Sequence, residues 1–224
     1  MTLPDLIYCA GGNERFAGIA LSTGFRYGAR LPCTTYGPVY FADQQWKNPD
    51  RRRYMTALAE HKPQMATVLD WEREEQLGEV LDWAEEAIQY ASCVVIIPKV
   101  MGGINKLPKT ISGKRVVLGY SVPTKYGATE LPLWEFSGWP VHLLGGSPQK
   151  QIRLFLQFSC SDVISVDGNM SNLMAHKGKY WSSKKMEGDH WIHLSVSGDT
   201  DRHDANLRAF RLSCVNIMEA WQTL

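Results

Sequence analysis

Residues 140–169 read PVHLLGGSPQKQIRLFLQFSCSDVISVDGN, and the fold class follows from how this stretch divides. PVHLL (140–144) is a short apolar run, Gly145 and Gly146 interrupt it, Ser147 and Pro148 open a helix ending near Phe158, and DVISVD (162–167) is a second apolar run. Runs that are apolar on both faces suit strands covered on both sides, as in a parallel sheet. Proline suits the first turn of a helix because the N–H it lacks has no partner there anyway. Strand, turn, helix and strand in this order make a βαβ unit.

The pattern continues on either side. LIYCA (6–10), VYFAD (39–43), MATVLD (65–70), CVVIIP (93–98), RVVLGY (115–120) and WIHL (191–194) are further strand candidates. Asn48 and Pro49 read as N-cap and first-turn proline of a helix over DRRRYMTALAEH (50–61), which Pro63 stops. Leu77, Val80, Leu81, Ala84, Ile88 and Ala91 form a helical apolar stripe, with Glu79, Asp82 and Glu86 facing away. Residues 171–177 make a short helix closed by Gly178, and Leu207, Phe210, Cys214, Ile217, Met218 and Trp221 mark one face of a terminal helix over about 203–222 that docks on the rest. Strands alternating with helices through 224 residues predict a single α/β domain over 1–224, a compact TIM-like (β/α)8 barrel. Residues 101–113 and 121–138 are the longest expected loops.

Composition sets limits. The chain is 44% hydrophobic and 21% charged, ordinary for a folded core, and its net charge of +1 gives no global field for nucleic acid, so any such contact needs local patches. Eight Trp and nine Tyr provide rings that pack in a core or stack on bases. Cys9, Cys33, Cys93, Cys160 and Cys214 form no CxxC pair, which suggests neither a zinc knuckle nor a disulfide framework; Cys160 and Cys214 read as structural rather than reactive thiols. No stretch approaches the roughly 20 apolar residues of a membrane span. A cytoplasmic protein without membrane contact is expected.

Three of the strands end in aspartate: Asp43, Asp70 and Asp167. In a parallel barrel the carboxyl ends of the strands share one face, so these side chains are expected around a common pocket; each alone also reads as a cap of the following helix. Clustered carboxylates repel, and their protonation and roles should then divide. His61, His142, His176, His190, His193 and His203 show neither HxH nor HExxH, so no metal and no cofactor is expected. Gly102–Gly103 and Gly145–Gly146 follow strands and serve either tight turns or close approach of backbone to a planar ligand. Ser147 sits at a helix N-terminus suited to phosphate, Lys99 ends a strand where it reaches a phosphate or base edge, and Arg51, Arg52 and Arg53 read as a backbone-tracking run or a solvated face.

In order and spacing these motifs resemble the tRNA-guanine transglycosylase superfamily over about residues 36 to 181. HLLGGSPQKQIRLFLQFSCSDVISVDGN (142–169) resembles the stretch leading to the strand that bears the nucleophilic aspartate, and Asp167 falls on that position. PVYFADQQ (38–45) places Asp43 at a second carboxylate of the family, and MATVLDWE (65–72) places Asp70 at a base-contacting aspartate, while Trp71 and Glu72 depart from the pattern. LGYSVP (118–123) resembles the glycine-containing strand beside the base, and IIPKVMGG (96–103) the Gln-Gly-Gly strand, with Pro98 and Lys99 in place of its polar residue. The clustered cysteines of the family's zinc subdomain are missing, so the likeness is greatest to short phage and bacterial relatives that insert 7-deazaguanine bases into DNA.

The resemblance implies a base exchange. Asp167 attacks C1′, Asp43 handles the proton, and Asp70, Lys99, Gly119, Tyr120, Gly145 and Gly146 surround the base, with Tyr120, Trp134 or Trp139 stacking on it. Arg51, Arg52, Arg53, Ser147 and Lys177 contact the nucleic-acid backbone. The partner is then DNA, with tRNA as the other candidate, and a free modified base is second substrate, the protein being monomer or homodimer. Water in place of the incoming base gives the alternative, a DNA glycosylase that leaves an abasic site, as in defence against phages with altered genomes. A noncatalytic nucleic-acid-binding barrel is the third reading.

Overall fold

The computed structural model describes residues 3–10, 13–124, 127–158, 162–184, 190–195 and 201–224. In chain order the elements are β1 (Asp5–Cys9), α1 (Glu14–Ser22), β2 (Arg26–Arg30), β3 (Phe41–Asp43), α2 (Arg51–His61), β4 (Met65–Thr67), α3 (Leu77–Ala87), β5 (Cys93–Ile96), β6 (Thr110–Ile111), β7 (Lys114–Ser121), β8 (Val141–Leu144), α4 (Pro148–Gln157), β9 (Val163–Gly168), α5 (Met170–Ala175), β10 (Lys179–Trp181), β11 (Trp191–His193) and α6 (Arg202–Gln222). Eight of these strands run parallel in the order β1, β2, β3, β4, β5, β7, β8, β9, and β9 returns to β1 through Ile7 opposite Asp167. The sheet is thus a closed eight-stranded barrel with helices between strands, as the alternation in the sequence predicts.

Each strand is apolar on both faces because each face meets a core. Ile7, Phe41, Met65, Cys93, Val95 and Val117 fill the barrel interior. Their neighbours Leu6, Ala42, Ala66, Val94, Ile96, Val116 and Leu118 point outward into the larger cluster formed with the helices. On β7 this alternation turns Gly119 inward and Tyr120 outward. A Cβ at Gly119 would come within 2.6 Å of Ile97 and 2.7 Å of Leu144, so glycine makes room for close interior packing.

Seven of the eight expected strands lie in the barrel. The eighth, WIHL (191–194), instead forms an antiparallel ribbon, in which Tyr180 pairs with Ile192. Its place is taken by β2, whose sequence RYGAR has buried Tyr27, Gly28 and Ala29 between two exposed arginines. Arg26 Nε lies 3.5 Å from Asp5 at one mouth and Arg30 Nε 3.6 Å from Asp43 at the other. An apolar segment of three residues between charges carries almost no periodic signal, which is why the strand escapes a reading based on apolar runs.

α2 begins later than Asn48 and Pro49 suggest. Asp50 is the N-cap, accepting from the Arg53 amide at 3.1 Å, and Lys62 closes the helix in the left-handed region before Pro63. α4 starts with Pro148 at its first turn, as expected, and Gly178 at φ +68° follows α5. α6 packs against α1, α5 and β10. Its Phe210 meets Tyr8 and Phe16 at ring-centroid distances of 5.1 and 4.9 Å, and its Trp221 meets Phe155 at 5.0 Å. Of the two expected long loops, 101–113 holds a 3-10 turn at Ile104–Lys106 and the two-residue strand β6, which pairs back onto β7, and the described residues of 121–138 hold a 3-10 turn at Leu133–Phe136. No helix among the described residues is long and apolar enough to cross a membrane.

Candidate active site at the carboxyl ends of the strands

Asp43 ends β3 and Asp167 is the penultimate residue of β9, so barrel closure carries both to the same face. Thr67 at the end of β4 organises the first. Its Oγ1 accepts from the Gln44 amide at 2.8 Å, which directs its own proton to Asp43 Oδ1 at 3.3 Å. Tyr54 of α2 braces the same two strands, donating within reach of the Ala42 and Thr67 carbonyls at 3.1 and 2.9 Å. Burial pushes the Asp43 carboxyl up, the charge of Asp167 adds to this, and Arg30 and Thr67 pull it back, leaving it at about 7. Its side chain is 20% exposed, so it is accessible to a proton acceptor at the mouth.

Asp167 is held differently. Oδ1 accepts from the Gly145 amide at 3.0 Å and lies 3.2 Å from His142 Nε2, while its backbone carbonyl accepts from Gln151 Nε2 at 2.6 Å. The same Gln151 nitrogen donates to the Gly145 carbonyl at 2.7 Å, clipping the β8 turn to β9. Gly145 at φ +66° has open space where a side chain would stand, and its left-handed backbone aims the amide at the carboxylate. All these side-chain contacts fall on Oδ1, which leaves Oδ2 for a reacting atom. Cys9, at the end of β1, faces both carboxylates; burial first, then the charges of Asp167 and Asp43, push its thiol well up, so it is a neutral neighbour and not a thiolate.

Asp70 lies beside this pair, near enough for its charge to act on Asp43. It is engaged by Lys99, whose Nζ lies 2.8 Å from both Asp70 Oδ2 and Glu72 Oε1. Burial pushes Asp70 up against the pull of that lysine. For Lys99, burial opposes the charge but the hydrogen bonds to Asp70 and Glu72 outweigh it and raise its pKa. Asp70 and Lys99 thus present an acceptor and a donor side by side at the rim.

Several expected contacts are placed elsewhere. Tyr120 is not at the mouth: strand alternation turns it into the outer layer, edge-on to Phe136 and Phe158 at 5.4 Å from each. Gly119 is covered by Ile97 and Leu144, so no ligand reaches its backbone from within the barrel. Gly146 packs under Val122 and serves the turn. Gly102 gives its amide to Glu135, and Gly103 packs on Trp71, so that pair too serves a turn. Trp139 is buried beneath Lys109, whereas Trp134 is 72% exposed. Arg51 is tied to α3 through Glu86 at 2.7 Å and the Asp82 carbonyl at 2.9 Å, and so is a helix-packing residue. Arg52 and Arg53 are exposed and share a surface groove with Pro32, Thr56 and Glu60. Ser147 is buried as the α4 N-cap without a side-chain capping bond, and Lys177 is exposed beyond the C-terminus of α5.

Motif and spacing alone do not single out His142, Ser165, Arg30, Thr67, Cys9 or Gln151 for this site. A signal is present for the first two. His142 stands inside an otherwise apolar strand, and Ser165 and Asp167 are two apart on another, hence on the same face. Cys160 lies outside the described residues; Cys214 is buried, its thiol pushed up to about 12 by burial, in line with a structural role.

Fold and site together define a parallel α/β-barrel protein whose mouth holds two carboxylates in unlike surroundings. The chain belongs to DUF6610, a family of unknown function, which it matches over residues 20–222. No curated protein and no solved structure matches it.

Proposed function

We propose that this protein cleaves the N-glycosidic bond of a nucleobase in DNA and exchanges the base for a 7-deazaguanine, with Asp167 as nucleophile and Asp43 as acid and base. The observation that carries this reading is the division of roles between the two carboxylates: Asp43 holds its proton to about pH 7, while Asp167 is a hydrogen-bond acceptor from two sides. Paired carboxyl groups divided in this way are what displacement at an anomeric carbon through an oxocarbenium-like transition state requires.

The steps balance with these two groups. The target nucleotide leaves the stack, as chemistry at C1′ demands. Asp167 Oδ2 bonds to C1′ as the bond from C1′ to the base nitrogen breaks, and the departing base takes the Asp43 proton. The incoming base then gives a proton to Asp43 and attacks C1′, and Asp167 leaves with its electron pair. Asp70 and Lys99 offer an acceptor and a donor to the base edge, and Arg52 and Arg53 offer charge to the DNA backbone. Water in the second step gives an abasic site instead.

The test is to quench a reaction of the protein with DNA and candidate 7-deazaguanines, map any DNA-linked peptide, and analyse the DNA by mass spectrometry. The expected result is an adduct on Asp167 and incorporation of the deazaguanine. Abasic sites without incorporation overturn exchange in favour of hydrolysis, and an Asp167→Ala variant with full activity removes Asp167 as the nucleophile.

A further inference from the structure

His142 is fully buried in the barrel interior, yet both its ring nitrogens are engaged. Nδ1 lies 2.8 Å from Ser165 Oγ and Nε2 lies 3.2 Å from Asp167 Oδ1. Phe41 stacks obliquely on the ring at 4.5 Å, and Met65 Sδ lies 3.6 Å from Ser165 Oγ. These contacts select one tautomer. A carboxylate only accepts, so Nε2 must carry hydrogen; Nδ1 then accepts the Ser165 proton, for which the sulfur of Met65 is a poor competitor.

We propose that His142 is a positioning residue for Asp167: with its tautomer fixed by Ser165, it donates from Nε2 to Oδ1 and, together with the Gly145 amide, makes Asp167 a ready leaving group in the second half of the reaction. The inference rests on Asp167 being the nucleophile. Once Oδ2 is bonded to C1′, Oδ1 is the carbonyl oxygen of a glycosyl ester. When the bond between C1′ and Oδ2 breaks, the electron pair returns to the carboxylate and negative charge grows on Oδ1, where two preset N–H donors meet it. The donors favour the free carboxylate over the ester, so their loss should trap the ester.

Two experiments test this, and they separate it from the proposed function. The first needs no substrate: 15N NMR of the histidine rings should show His142 neutral, protonated on Nε2 and accepting at Nδ1, and the Nδ1 signal should move in Ser165→Ala. An imidazolium, an Nδ1-protonated ring, or no change in Ser165→Ala overturns the relay whatever the protein does to DNA. The second is kinetic. Gln places an amide nitrogen near the position of Nε2, whereas Asn reaches only the position of Nδ1, so His142→Gln should keep the wild-type covalent fraction. His142→Asn should accumulate the Asp167 adduct, with the second step slowed about 10- to 100-fold, the scale of a missing hydrogen bond to a charged group. Should His142→Asn fail to fold, Ser165→Ala serves in its place, with a smaller rise in adduct. Equal defects in the Gln and Asn variants, or no rise in adduct, overturn the role of the donor. A wild type that forms no adduct and turns over no DNA defeats the proposed function, while the NMR result still decides whether His142 holds Asp167.

Discussion

Arg30 and Asp43 are direct partners in the register of β2 and β3, and their side chains meet at the barrel mouth with Nε 3.6 Å from Oδ2. The guanidinium is the principal counterweight to the burial and to the Asp167 charge that push Asp43 up to about 7. Removing it should let the carboxyl rise further. In Arg30→Gln the Asp43 titration, followed by carboxyl 13C NMR, is expected to move to higher pH, and with it the alkaline limb of any activity profile, where the protonated acid of the first step is lost; a downward shift would contradict this balance of charges.

The raised carboxyl also sets a dependence of stability on pH. Unfolded, Asp43 titrates near the ordinary 3.8 of an aspartate, and folded at about 7, so between those values the native state binds the extra proton and loses stability as pH rises. Asp43→Asn should therefore match or trail the parent at pH 4 and exceed it above pH 7, by up to about 4 kcal/mol before allowance for partial exposure. Urea denaturation at several pH values measures this, and parallel curves for the two proteins would rule it out.

Gly119 has no room for a side chain. Gly119→Ala must displace Ile97 or Leu144, whose atoms lie 2.6 and 2.7 Å from the added Cβ. Overpacking of this kind costs about 1–3 kcal/mol. A melting temperature equal to that of the parent would mean that the interior yields more easily than its packing implies.

The three consecutive arginines should behave unlike one another. Arg51→Ala breaks the link between α2 and α3 and should lower stability, with little effect on DNA affinity. Arg52→Ala and Arg53→Ala should leave stability unchanged, weaken DNA binding and reduce its salt dependence, by about one unit of log–log slope for each phosphate no longer neutralised. Fluorescence anisotropy across a salt series distinguishes the two patterns.

The strands that the sequence reveals are those whose apolar runs stand out from their flanks, such as CVVIIP (93–98) and DVISVD (162–167). β2 hides because its ends are arginines, and WIHL (191–194) misleads because an apolar tetrapeptide reads alike in a barrel and in a ribbon. The aspartates are legible because strand ends of a parallel barrel share a face, and the charge of Asp167 does act on Asp43. Partners that depend on strand alternation are harder to see: placing Tyr120 requires knowing that Gly119 faces inward, and the contact of His142 with Ser165 and Asp167 requires the pairing of β8 with β9. Arg51 shows the limit of reading charge runs, since whether an arginine is free or tied to a neighbouring helix is decided by the angle between two helices.

The arginines at the two ends of β2 also act on the assembly of the barrel. A shift of this strand by one residue would turn Tyr27 and Ala29 from the outer core into the lumen and both guanidiniums out toward the apolar helix layer, and it would break both the Asp5 and the Asp43 pairs. The strand with the faintest apolar signature is therefore the one whose alignment is most firmly policed by charge, and a misaligned closure of the barrel would be rejected there first.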